Sequence, residues 1–161
     1  MVQIVRRILA FFVAIATLVV LGSIAHSIFV QRAWVHAAAQ SGLAAEGIPF
    51  ADRLRWIGHD LIGLQPVYGG LAAIALLLGL LVAGAIVRYT GYRRVIFALA
   101  GAACMFTMFT ILKAVLGTVG VFGARGGGLL FQVLAGLVAA VLFAKLTEAP
   151  SPRSSTPPAT T

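Results

Sequence analysis

Four long runs of apolar residues, separated by shorter polar segments, dominate the pattern along the chain. They cover residues 8–30, 67–87, 95–116 and 128–146. A helix needs about 20 mostly apolar residues to cross a hydrocarbon core of about 30 Å, and each run meets or approaches that length. The pattern therefore predicts an all-α membrane protein with a four-transmembrane-helix bundle in residues 1–147.

The first run also has features of a secretory signal peptide. Arg6 and Arg7 precede it, and Ser23-Ile24-Ala25 is similar to a small-residue cleavage site. However, the apolar character resumes beyond that point and continues to Val30. Because the run is long enough to span a membrane, we expect it to remain as an uncleaved anchor.

Residues 31–66 form the one long loop between predicted spans. Its first ten residues, 31–40, are rich in Ala and are expected to prolong the first helix, and Gly42 and Pro49 then interrupt the helical pattern. Apolar residues recur at helical spacing further on: Phe50, Leu54, Ile57 and Leu61. This spacing predicts a short amphipathic helix in the first extracytoplasmic loop, lying in the interface or capping the bundle.

The composition supports lipid as the main solvent of the protein surface. Hydrophobic residues make up 61% of the chain and charged residues 10%, whereas soluble domains average about 45–50% and about 25%. The net charge is +8, but the basic residues cluster at the ends of the apolar runs. That placement is typical of topology determinants and of contacts with anionic lipid, so we expect the lipid bilayer and no nucleic acid as a partner.

The short loop containing Arg88, Arg93 and Arg94 indicates the orientation, because short cytoplasmic loops carry an excess of basic residues. Together with Arg6 and Arg7 it places both termini in the cytoplasm. The layout is typical of small multi-pass proteins of the bacterial inner membrane. Residues 148–161 are rich in Pro, Ser and Thr and are predicted to form a disordered cytoplasmic tail.

Small residues recur at a spacing of four in two runs: Ala75, Gly79 and Ala83 in the second, and Gly136 and Ala140 in the fourth. Helices in a bilayer associate through close packing, and small residues permit it. The spacing therefore predicts helix contacts within the bundle or between copies of the chain.

Polar residues within the spans lie toward the predicted outer side, and the motif Gly58-His59-Asp60 lies nearby in the loop. Ionisable groups at membrane depth indicate a functional site. The candidate ligand-binding residues are His26, His59, Asp60, Lys113, Arg125 and Gln132. The structural alternative is that Asp60 neutralises Lys113 or Arg125, that Lys113 extends to the headgroups, and that His26 only packs.

Specific chemistry is weakly indicated. A haem held by His26 and His59 is a less favoured alternative to no cofactor, since no attachment motif accompanies them. His26, His36 and His59 lack the spacing of a metal site, so no metal is expected. No GxSxG motif is present, and the spans carry no carboxylate at mid-membrane, which disfavours an enzyme and a proton pump.

Two functional hypotheses follow. The first is a non-enzymatic protein that acts through interactions, as an accessory subunit of a membrane complex or as a homo-oligomer, because small-residue faces are abundant. The second is a binding or transport protein for a small molecule or a proton, with its site in the outer polar layer.

Overall fold

The computed structural model describes residues 2–42, 48–63, 65–117, 124 and 126–148. These residues form five α-helices and no β-strand. The helices are α1 (Val2–Gln40), α2 (Phe50–Gly63), α3 (Gly70–Thr90), α4 (Arg93–Leu116) and α5 (Gly127–Leu146), with a π-helical turn at Gln65–Gly69 before α3. The four helices other than α2 are long and apolar enough to cross a membrane. The predicted all-α architecture with four such helices is confirmed.

The first helix extends well beyond its apolar run. Its 39 residues correspond to about 58 Å at 1.5 Å per residue, nearly twice the thickness of a hydrocarbon core. The predicted prolongation of this helix to Gln40 is confirmed. Gly42 follows with a φ of +71°, a left-handed conformation that ends the helix.

Helices α3 and α4 form a tight antiparallel hairpin. Gly91 follows α3 with a φ of +74°, and its N–H donates to the carbonyl oxygen of Val87. This left-handed cap lets α4 begin two residues later, at Arg93. The short basic loop of the sequence is therefore a two-residue connection.

The helices pack in the order α3, α4, α5, α1, and α1 and α3 touch each other much less than the neighbouring pairs do. The largest fully buried apolar side chains come from three helices: Leu18, Leu76, Met105 and Phe109. Many large apolar side chains face outward, among them Phe12, Ile74, Leu78, Leu99 and Phe131. An exterior of that kind suits a lipid environment.

The small residues lie at helix contacts inside the chain. A Cβ atom added to Gly101 would lie 2.3 Å from the carbonyl oxygen of Gly136, and one added to Gly79 would lie 3.0 Å from the Cβ atom of Cys104. The α4–α5 and α3–α4 contacts therefore depend on close backbone approach. The predicted contacts within the bundle are confirmed for Gly79 and Gly136.

One end of the bundle, here called the basic end, joins three distant segments. Arg6 of α1 donates to the carbonyl oxygens of Thr147 and Glu148, each at 3.0 Å. Arg93 donates to the hydroxyl of Thr147, and Arg94 pairs with Glu148 at 2.9 Å. The hydrogen bond from Arg94 lowers the pKa of the Glu148 carboxyl below its ordinary value of 4.5. The start of α1, the α3–α4 connection and the end of α5 thus lie at the same end.

The predicted disordered tail lies outside the described residues from position 149 onward.

Candidate functional site

A buried polar stripe runs along α1 at the other end of the bundle, here called the polar end. Its members are spaced at i, i+3, i+4 and i+8, which places them on one side of a helix: Ser23, His26, Ser27 and Gln31. All four are buried, with Ser27 fully enclosed. Such a stripe in an apolar helix requires polar partners on the neighbouring elements.

Helix α2 supplies some of those partners by folding back along α1. The hydroxyl of Ser27 donates to Oδ2 of Asp60. Further out, Nε2 of Gln31 donates to the carbonyl oxygen of Arg53 at 3.4 Å. The residue numbers of these contacts increase along α1 as they decrease along α2, so the two helices are antiparallel. None of the residues of α2 is buried, so this helix covers the stripe without entering the core.

Asp60 is the charged centre of this contact. Its Oδ2 atom lies 3.9 Å from Nε2 of His26, and its side chain is 25% exposed. The Asp60 carboxylate is therefore partly buried. Its described partners are Ser27 and His26, and Lys113 is not among them. The expected Asp60–Lys113 pair is wrong because Asp60 turns toward α1, whereas Lys113 is exposed near the end of α4.

Two buried polar atoms of the stripe have no hydrogen-bond partner among the described residues: Nδ1 of His26 and Oγ of Ser23. The His26 residue is 7% exposed and Ser23 is 1% exposed. A buried polar atom left unpaired costs about 1–3 kcal/mol. The stripe therefore combines satisfied groups with two buried polar atoms that lack a partner among the described residues.

A hydrogen-bonded knot closes the core next to the stripe. The Tyr68 hydroxyl donates to Oε1 of Gln132 at 2.6 Å, and Nε2 of Gln132 donates to the carbonyl oxygen of Gly22 at 3.0 Å. A Cβ atom at position 22 would lie 2.0 Å from the Tyr68 hydroxyl oxygen. The ring of Tyr68 also lies 6.5 Å from that of Phe109 in α4. The knot joins α1, α5 and the π-helical turn before α3, and the ring of Tyr68 extends the contact to α4.

The six candidate residues are only partly brought together. His26 and Asp60 are neighbours. Gln132 lies in the adjacent knot, where its side chain forms hydrogen bonds with residues of other helical segments. His59 and Lys113 are exposed, and Arg125 lies outside the described residues. The candidate set does not include Ser23, Ser27 and Tyr68. The two serines could have been found from the sequence, because their spacing from His26 places all three on one side of a helix.

Metal and cofactor chemistry receive little support from this geometry. Within the part of the chain that the structure describes, no three His, Cys, Asp or Glu side chains are grouped so that they could hold a metal ion. A haem held by His26 and His59 would require one buried and one exposed imidazole. The haem hypothesis stays a prediction.

The chain matches no protein-family model, and no curated protein and no solved structure is similar to it. The polar end is therefore the feature of this chain that indicates a function.

Proposed function

We propose that this chain is a multi-pass protein of the bacterial inner membrane that binds a small polar molecule or a proton at the polar end. Both termini lie in the cytoplasm, because short basic connections are retained on that side. The polar end then faces outward, and the amphipathic helix α2 lies at the outer interface beside α1. The site consists of Ser23, His26, Ser27 and Asp60.

The observation that carries the proposal is the pair of unpartnered buried atoms, Nδ1 of His26 and Oγ of Ser23. A side chain placed only for packing would not need either atom. The Asp60 carboxylate lies on the other side of the imidazole, with Oδ2 3.9 Å from Nε2, and its negative charge favours a proton on Nε2, which leaves Nδ1 as an acceptor. The site therefore suits a ligand that donates a hydrogen bond to Nδ1.

The knot supports the site without belonging to it. Oε1 of Gln132 accepts from Tyr68 and its amide donates to Gly22, so Gln132 fixes the distance between α1 and α5. His59, Lys113 and Arg125 are less central to the proposed site, and no cofactor is part of it. An absorbance spectrum of the purified protein tests the haem alternative, which predicts a Soret band.

Apolar substitutions separate a binding role from a structural one. Ser23→Ala and His26→Leu should abolish complementation of a deletion strain while the amount of protein in the membrane stays normal. The unfolding midpoint should be unchanged or higher, because both changes remove an unpaired buried atom. Gln132→Ala is the structural comparison and should lower the amount of protein and the complementation together.

Thr110→Ala is the control, because Thr110 is exposed and its hydroxyl donates to the carbonyl oxygen of Phe106 in the same helix; this variant should complement fully. Full complementation by both Ser23→Ala and His26→Leu, with raised stability, would contradict the binding role.

The interaction hypothesis, an accessory subunit or homo-oligomer, ranks second because the contacts of Gly79, Gly101 and Gly136 are made inside the chain. Crosslinking in native membranes tests it, since a reproducible neighbour or a second copy would be captured.

A further inference from the structure

An open groove of about 410 Å³ separates α1 from α2 beyond the polar stripe. Its walls are mainly apolar and include Ile28, Val35, Leu54 and Ile57. Its polar lining consists of Gln31, the last residue of the polar stripe, and of Arg32, His36 and Arg53, and no carboxylate of the described residues belongs to it. The groove thus offers apolar walls beside positive charge, which fits an amphiphilic anion.

The two arginines are not neutralised by a carboxylate of the described residues. Arg53 donates through Nε to the carbonyl oxygen of Ile48 at 3.0 Å, and the guanidinium of Arg32 lies 6.0 Å from the ring of Phe29. The nearby carboxylate of Asp52 pairs with Arg55 instead. Glu46, the other acid of this loop, lies outside the described residues.

The position of the groove along α1 indicates that the anion is a lipid headgroup. With the inner boundary of the membrane at Ile8, just after Arg6 and Arg7, a hydrocarbon core of about 30 Å ends near Ile28, at 1.5 Å per residue. Arg32 and His36 then lie within about two helical turns beyond it, at the depth of lipid headgroups. Trp34 and Trp56, whose rings are 6.3 Å apart, flank the same region, as aromatic residues do at an interface.

We propose that this groove binds an anionic phospholipid of the outer leaflet, with the phosphate between Arg32 and Arg53 and an acyl chain along the apolar wall. Each arginine near an anionic lipid surface strengthens binding about fivefold. The inference uses the membrane insertion proposed above, but it is independent of any ligand at His26 and Ser23.

The native tryptophans provide the test, since the chain has only two and both flank the groove. The full-length protein is reconstituted in phosphatidylcholine vesicles that contain brominated phosphatidylglycerol or brominated phosphatidylcholine at the same mole fraction. Bromine quenches tryptophan fluorescence at contact. We expect phosphatidylglycerol to associate about 25-fold more strongly than phosphatidylcholine, because each of the two arginines contributes about fivefold.

Substitutions then locate the preference. Arg32→Gln and Arg53→Gln should each lower it about fivefold, and the double variant should lose it. Arg55→Gln is the matched control, because this neighbouring arginine is exposed and does not line the groove; it should keep the preference.

Equal quenching of the native protein by the two lipids, or a preference that survives in the double variant, would overturn the proposal. Absence of quenching by either lipid would contradict the membrane insertion as well.

Discussion

Gly22 is the residue on which the polar end most directly depends. Its carbonyl oxygen accepts from Gln132, and its missing side chain leaves room for the Tyr68 hydroxyl. We expect Gly22→Ala to destabilise the protein by about 1–3 kcal/mol, because the new Cβ atom displaces the hydroxyl and disrupts the hydrogen bonds of the knot. The midpoint of unfolding in mixed detergent micelles measures the change.

Gly84→Ala is the control, since a Cβ atom there meets nothing within 4 Å. In the interior of α3 this change should stabilise the helix by about 0.5–1 kcal/mol. Equal effects of the two substitutions would contradict the close approach at Gly22.

At the scale of single residues, the sequence identified His26, Asp60 and Gln132 as unusual but did not identify their partners. A polar residue in an apolar run is easily recognised in the sequence. It also implies a compensating contact, because burying a polar side chain in lipid without a partner costs free energy. The direction in which it points depends on helix packing, which spacing alone does not specify. The sequence therefore predicts a base, Lys113 or Arg125, as the partner of Asp60, whereas Asp60 meets a hydroxyl and an imidazole on α1.

Among the elements, α2 depends on few contacts, and Asp60 makes the best-enclosed of them. Asp60→Ala leaves the fully buried hydroxyl of Ser27 without its acceptor, so we expect a loss of about 1–2 kcal/mol in the docking of α2. Hydrogen exchange of the α2 amides should become faster as a result.

Asp52→Ala is the matched change within the same helix. Asp52 lies 3.8 Å from Arg55, and both side chains are largely open to solvent. The effect of this change should stay within about 0.5 kcal/mol. If both variants left the exchange of α2 unaltered, Asp60 would not be what holds the helix against α1.

The basic end depends on the shape of Arg93 and not only on its charge. Its guanidinium donates to the Thr147 hydroxyl and to the carbonyl oxygen of Ala144, and it lies 4.9 Å from the ring of Phe97. Arg93→Lys keeps the charge that determines topology but cannot form the same set of contacts. We expect a loss of about 1–2 kcal/mol in unfolding free energy with no change of orientation.

Arg94→Lys provides the comparison at the next position. The Arg94 side chain is 62% exposed and pairs with an exposed Glu148, and such surface pairs contribute little. If the two variants lost the same unfolding free energy, the contacts of Arg93 would not stabilise the protein more than the surface pair of Arg94 does.

The elements were the most predictable part of this protein. The apolar runs gave the four long helices, because length and hydropathy alone decide whether a helix can span a bilayer. The π-helical turn at Gln65–Gly69 was not expected, since no periodicity in the sequence distinguishes it from the start of α3. The antiparallel placement of α2 was not predicted either, because it depends on contacts between residues distant in the sequence.

For the molecule as a whole, the contacts at the basic end link three segments that are far apart in the sequence. Arg6 and Arg94 both contact Glu148 there, so the start of α1, the α3–α4 connection and the end of α5 lie at one end of the bundle and, once inserted, on one side of a membrane. Only two orientations are compatible with this arrangement. The excess of arginine at that end is the basis for proposing the orientation with these segments in the cytoplasm.

Reporters fused at three positions test fold and orientation separately. Under the proposed orientation, fusions at Gly91 and after Glu148 should be cytoplasmic. A fusion after Gly42 should be external, because α1 (Val2–Gln40) is long and apolar enough to cross a membrane between these positions. If the first two fusions were external and the third cytoplasmic, the bundle would stand but its orientation would be inverted, and the polar end would face the cytoplasm. If the fusions at Gly91 and Glu148 lay on opposite sides, the contacts of the basic end would not exist in the membrane, and the fold itself would be contradicted.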